Sequence, residues 1–230
     1  MKKIILITLL AIFSKNLKSQ GSLKETGTWY MTFFDVSFKE SSWSFLGDIQ
    51  YRNWDLAASD MEQIIIRGAV GYSIPKTKVT LYAGYAHFVS GVYGDNRATS
   101  NENRFHEDLV FPIKLGNRFY TNQRFRYEQR LIPGQTFRTR YRYNLFLNIP
   151  LNQKTLDKGA VYFAFFNEVF INGQRNIGNN RTVDWFDRNW LYGGLGYSFN
   201  KHLKVQLGFM HHSTINWNKN QLLLSLHSKF

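Results

Sequence analysis

Arg124-Phe-Arg-Tyr-Glu-Gln-Arg-Leu131 and Phe137-Arg-Thr-Arg-Tyr-Arg-Tyr143 place a charge at every second position. Successive side chains of a strand point to opposite faces. One face therefore carries Arg124, Arg126, Glu128 and Arg130, then Arg138, Arg140 and Arg142. The other carries Phe125, Tyr127 and Leu131, then Phe137, Tyr141, Tyr143, Leu145 and Leu147. A soluble sandwich buries the aromatic face and wets the arginines. A membrane barrel turns the aromatics to lipid and the arginines to a polar lumen. The rest of the chain has to choose between these two inversions.

The first twenty residues address the compartment. Lys2 and Lys3 precede an apolar run from Ile4 to Phe13, and the polar stretch Ser14 to Gln20 follows. That is the three-part layout of a secretory signal peptide. The run falls well short of the roughly 20 residues a membrane-spanning helix needs. Residues 1–19 are expected to be removed, leaving 20–230 as a single domain. No later run approaches helix-spanning length and the mean hydropathy is slightly polar, so a helical membrane protein is excluded. The chain has no cysteine, which excludes a lipid anchor at the cleavage site and a disulfide scaffold.

Removing Lys2, Lys3, Lys15 and Lys18 takes the formal charge from +13 to +9. A basic chain raises nucleic-acid binding. Export argues against it, and so does the strict alternation of the arginines with aromatics. No nucleic-acid partner is expected.

Eleven alternating or β-prone runs follow, and no convincing amphipathic helix. They cover 27–38, 42–53, 62–74, 77–89, 104–115, 117–131, 136–149, 159–171, 185–199, 202–213 and 220–230. Most reach the roughly 9–11 residues a tilted membrane strand requires, against an average of about 5–6 in globular sheets. Connections alternate between tight ones, such as Ile74 to Thr77, Gly116-Asn117 and Asn200 to His202, and long ones, Ser90 to Asn103 and Asn172 to Asp184. Short turns on one side and longer loops on the other suit an outer-membrane barrel. Aromatics near run ends, among them Trp43, Tyr72, Tyr120, Trp185 and Tyr197, suit its interfacial girdles. The expected fold is all-β: a transmembrane, antiparallel, up-and-down barrel of ten to twelve strands. Eleven runs conflict with the even count usual for single-chain bacterial barrels.

Leu222, Leu224, Leu226, Ser228 and Phe230 share one parity of the last run. An alternating strand ending in an aromatic resembles the assembly signal of outer-membrane barrels. Leu222, Leu224, Leu226 and Phe230 are therefore expected to be read by the barrel-assembly machinery.

At the arginine strands the chain resembles a family of uncharacterised bacterial outer-membrane barrels, common in Bacteroidetes-like bacteria and known as DUF2490. The resemblance begins at Thr26-Gly-Thr-Trp29 and Gln50-Tyr-Arg52 and is clearest in Arg124 to Arg130 and Phe137 to Arg142. It continues through Ile149-Pro-Leu-Asn152, Asn167-Glu-Val-Phe170, Leu191-Tyr-Gly-Gly-Leu-Gly-Tyr197 and Leu207-Gly-Phe-Met210, so it spans most of the exported chain. One departure is Arg188-Asn189-Trp190, where the arginine is expected directly before the aliphatic-Tyr pair. The resemblance implies an outer-membrane location among lipids and lipopolysaccharide. It supplies no activity.

The arginine strands are the candidate site: Arg124, Arg126, Glu128, Arg130, Arg138, Arg140, Arg142 and, on the next strand, Glu168. A hairpin turn around Ile132 to Gln135 brings Glu128 opposite Arg138, Arg140 or Arg142. Directly opposed like charges destabilise a strand pair, so six arginines need counter-charges. Glu128 and Glu168 supply two and leave a cationic excess. The group is either a structural ladder that plugs the lumen or a cationic wall for small anionic solutes, since guanidinium groups grip carboxylates and phosphates in pairs. Turning it to lipid would cost about 2–4 kcal/mol per mid-depth arginine.

His211 and Ser213 form a His-x-Ser pair that resembles the catalytic pair of outer-membrane lipid A deacylases, in which the imidazole acts as base for the hydroxyl. Their parity with Leu207 and Phe209 points them toward lipid, and the last strand brings no carboxylate. Asp55, Asp60, Asp184 and Asp187 lie near connections, where solvation explains them. No metal or phosphate-loop spacing stands out, so no cofactor is expected. The reading is a non-enzymatic barrel, structural or forming a small cationic pore. An outer-membrane acyl hydrolase using His211 and Ser213 and a secreted, ligand-binding β-sandwich are the rivals.

Overall fold

A computed structural model describes residues 26–94 and 97–230; the signal-peptide expectation lies outside them. Eleven strands account for nearly all of the regular structure. They are β1 (Gly27–Ser37), β2 (Trp43–Asn53), β3 (Met61–Ser73), β4 (Thr80–Gly91), β5 (Thr99–Leu115), β6 (Phe119–Leu131), β7 (Arg138–Pro150), β8 (Val161–Asn172), β9 (Phe186–Ser198), β10 (Leu203–Ser213) and β11 (Asn218–Lys229). Each strand pairs with its sequence neighbour antiparallel, and the sheet closes into a barrel.

The closure resolves the odd count. Eleven up-and-down strands bring the first and last side by side pointing the same way, so one parallel pair has to seal the wall. β1 and β11 form it, in register from Gly27↔Gln221 to Asp35↔Lys229. Closure leaves no unpaired sheet edge, and the secreted β-sandwich is overturned by it.

Parity sorts the side chains as the arginine strands required. Even positions of β5 to β8 face inward, and odd positions, Phe105, Phe125, Tyr141 and Phe163 among them, face outward. The outer wall carries exposed Ile49, Ile66, Val70, Phe105, Phe125, Leu195, Leu207 and Phe209, among others. Glu107 is the only charged side chain on the outer face of the described strands. Gln129 donates to it at 3.1 Å.

The rim where β1 begins, here the amino rim, carries connections 54–60, 92–98, 132–137, 173–185 and 214–217. The carboxy rim, where β11 ends, carries 38–42, 74–79, 116–118, 151–160 and 199–202. Both expected long loops lie at the amino rim. The first is shorter than expected, because the polar start of β5, from Thr99, pairs with the end of β4. The ten residues of 151–160 make a long connection at the opposite rim, which the sequence reading did not anticipate. At the 132–137 turn Pro133 precedes Gly134, whose φ of 72° is favourable only without a Cβ.

From β8 round to β1 the interior is a hydrophobic cluster of Trp29, Tyr162, Ala164, Phe170, Trp190, Tyr192, Met210 and Leu223. Glycines make room for its rings. A Cβ on Gly196 would lie 2.2 Å from the Tyr162 ring, and one on Gly194 would lie 2.4 Å from the Tyr192 hydroxyl. Such close approach is what glycine inside a strand permits.

Candidate functional site

The β6–β7 register sets Arg126 opposite Arg142, Glu128 opposite Arg140 and Arg130 opposite Arg138. Two like-charge pairs therefore flank one ion pair. Carboxylates from β5, β6, β8 and β9 hold this arrangement together.

Glu128 is the centre. Its Oε2 accepts from Arg140 Nε and Nη2 at 2.8 and 2.5 Å, and its Oε1 accepts from Arg142 Nη1 at 2.6 Å. Arg104 and Arg126 approach it at 3.9 and 4.0 Å. Glu168 accepts from Arg124 and Arg142 at 2.7 and 2.8 Å and from Asn144 at 3.0 Å. Arg126 grips Asp108 through two nitrogens at 2.5 and 2.6 Å. Arg104 and Arg130 share Glu102, each at 2.6 Å. Paired, charge-assisted contacts of this kind are the strong class of hydrogen bond. Arg138 has no carboxylate; it donates to Gln135 and Asn172, both at 3.0 Å.

The structure brings seven of the eight predicted residues into one ion-pair network, leaves Arg138 at its margin, and adds four that sequence reasoning missed. Glu102, Arg104 and Asp108 stand on β5 with the same inward parity as the arginines. That parity was available, but Glu107 interrupts it on the outer face. Asp187 corrects the reading that solvation explains it. A β-bulge between Phe170 and Ile171 pairs them with Arg188 and Phe186 and leaves Asp187 as the extra residue of β9. Bulges re-aim a side chain, and Asp187 turns inward to accept from Arg140 at 2.6 Å. It also accepts from Arg188 at 3.1 Å, which gives Arg188 a place at the network's edge.

A second bulge on β3, opposite Arg52 and Asn53, does the same for Glu62 on the aromatic side. Trp29 Nε1 and Gln221 Nε2 donate to Glu62 at 3.2 and 3.1 Å, and Lys219 lies 3.6 Å away. Where the two sides meet, guanidinium groups stack on rings. Arg142 lies 4.4 Å and Arg140 5.0 Å from the Phe170 centroid, and Arg52 lies 3.7 Å from that of Trp29. Cation–ring contact of this kind is favourable when desolvated.

Packing is unequal along the barrel axis. In the amino half Arg126, Glu128, Arg140, Trp29, Phe170 and Met210 are all at most 4% exposed. In the carboxy half the inward-facing Pro112, Lys114 and Asn122 are exposed. The lumen thus opens toward the carboxy rim along β5 and β6 as a vestibule floored by the arginine network, while across it, beside β8 and β9, Ala160, Tyr162 and Ser198 stay buried.

The other expected sites fall as follows. Leu222, Leu224, Leu226 and Phe230 share the outer face at the parallel seam. His211 hydrogen-bonds Asn220 at 2.9 Å on the outer face. The hydrogen bond His211 makes is not to Ser213. Asp55 and Asp60 stay in the loops, where the Ser59 hydroxyl holds the Asp55 carboxyl below its usual range and Asp60 accepts from the Gly94 amide at 2.9 Å.

A family model described as "Protein of unknown function (DUF2490)" matches residues 26–222. No curated protein and no solved structure matches the chain.

Proposed function

The chain belongs to the DUF2490 family of proteins of unknown function, and from that premise we propose that it is a bacterial outer-membrane β-barrel whose lumen is sealed by its arginine network. Its role is structural and not enzymatic. The observation that carries this reading is the burial of the guanidinium–carboxylate network across the amino half. An arginine wall built to pass solutes would leave its cations wet, whereas Arg126 and Arg140 are 4% and 2% exposed. An apolar outer face around a charged interior supports the membrane setting, since a soluble barrel would invert the two. Lipids and lipopolysaccharide then contact the wall, and the barrel-assembly machinery inserts it through β11.

Two measurements test this. Membrane fractionation should recover the protein in the outer membrane with heat-modifiable gel mobility; recovery in the soluble periplasm would overturn the location. Planar-bilayer recording of the purified wild type should show a closed baseline. A steady anion-selective current would restore the pore reading.

A further inference from the structure

The arginine network holds more cation than carboxylate. Arg67, Arg104, Arg124, Arg126, Arg130, Arg140, Arg142 and Arg188 pair with six acids, Asp48, Glu102, Asp108, Glu128, Glu168 and Asp187, and Arg138 stands beside them with amide partners only. Nine arginines against six acids leaves an excess of three positive charges inside the lumen. Buried charge is costly unless it is paired.

At the vestibule floor a cavity of about 50 Å3 lies between the apolar Phe33, Leu46 and Ala69 and the polar Asp48, Arg67, His106, Arg124 and Arg126. A single water needs only about 10–15 Å3 of such space, so the cavity admits a group of a few heavy atoms. Two buried polar atoms of its lining have no hydrogen-bond partner among the described residues, Arg124 Nε and His106 Nε2. His106 is 2% exposed. Asp48 does not make the cavity anionic. Its oxygens are taken by Arg67 at 2.6 and 3.0 Å and by Gln50 at 2.6 Å. Arg126 is likewise held by Asp108. What the cavity offers a ligand is the unpartnered Arg124 Nε–H and an imidazole nitrogen, beside a network that holds more arginines than acids.

We propose that this cavity is a binding site for one small carboxylate-type anion, which enters from the carboxy rim, accepts from Arg124 Nε and offsets the network's excess charge. A formate-sized group fits, with any larger remainder extending into the vestibule. The site belongs to the lumen, whatever surrounds the wall, so it stands apart from the outer-membrane assignment.

The test is a sodium formate titration of the purified folded barrel, read as the temperature midpoint of its heat-modifiable band shift. A ligand that binds only the folded state raises that midpoint with its concentration. Wild type should show a saturable rise. Arg124→Gln leaves Glu168 held by Arg142 and Asn144, so it should still fold, with a lower formate-free midpoint, and require at least ten-fold more formate for the same rise above that midpoint. Ala69→Val narrows the cavity from β3 without touching a charge and should weaken the response similarly. Formate-resonance broadening by wild type, lost in both variants, would give the same answer without unfolding. Absence of a saturable rise in wild type, or an equal rise in both variants, would overturn the site and show that formate acts only as a salt.

Discussion

Between β5 and β8 the barrel interior is filled by guanidinium–carboxylate pairs, whereas from β8 round to β1 it is filled by Trp29, Tyr162, Phe170, Trp190, Tyr192, Met210 and Leu223. Both sides close the same half of the lumen and both are strands of one alternating pattern. They differ in how they fail. An aromatic side that loses a ring keeps its other contacts and gains a cavity. An ionic side that loses one acid leaves the cations that acid held short of counter-charge: without Glu128, Arg140 keeps only Asp187 and Arg142 only Glu168. Each side also takes one carboxylate from a bulge, Asp187 or Glu62, which plain alternation would have left outside.

The largest effect is expected at Glu128, on which Arg140 and Arg142 converge with Arg104 and Arg126 within 4.0 Å. Glu128→Ala should lower the unfolding free energy, measured in urea on barrels refolded into vesicles, by an amount at the upper end of about 3–5 kcal/mol. A loss below about 1 kcal/mol, as for an exposed ion pair, would show the ladder to be well solvated. Phe170→Ala tests the aromatic side at the point where Arg140 and Arg142 stack on it. The expected loss is about 3–4 kcal/mol, from transfer plus cavity. If the Phe170 variant proved the weaker of the two, the ranking of the two sides would reverse.

Much of this comparison was legible in the chain. Alternation in Arg124–Arg130 and Arg138–Arg142 put the charges on one face, and the long runs and alternating connections elsewhere in the chain turned that face inward. A turn at Pro133-Gly134 limited Glu128 to three partners, of which the register selects Arg140. Eleven runs were legible too, and their conflict with an even count was a sign of the parallel β1–β11 seam. The seal was not legible. Whether six arginines line a channel or plug it depends on how the aromatic side fills the remaining width, and that is a property of the closed barrel. The bulges were hidden because one extra residue changes the facing of a single side chain and leaves the flanking pattern intact. On β5, Glu107 on the outer face masked the inward set Glu102, Arg104 and Asp108.

The two bulge acids give a paired test of intermediate size. Asp187→Asn keeps an acceptor for Arg140 and removes the charge that both Arg140 and Arg188 use. A loss of about 1.5–3 kcal/mol is expected, the worth of a hydrogen bond to a charged group. Glu62→Gln on the aromatic side should cost less, about 1 kcal/mol, because its hydrogen-bond donors Trp29 and Gln221 are neutral and its one cation, Lys219, stands off at 3.6 Å. Equal losses in the same urea titration would mean that the bulges matter only for backbone shape and that charge plays no part in the difference between the sides.

Arg138 is expected to show the smallest effect and bears most directly on whether the ionic side is over-supplied with cations. It stands directly opposite Arg130, its partners are the amide oxygens of Gln135 and Asn172, and no carboxylate depends on it. Arg138→Gln removes a like-charge pairing while keeping a polar side chain. Opposed like charges are worth only about 0.2–1 kcal/mol in a strand pair, so the variant should match wild type or gain up to about 1 kcal/mol. A loss above about 2 kcal/mol would make Arg138 an integral part of the network, and the excess of cation over carboxylate would then be structural in origin.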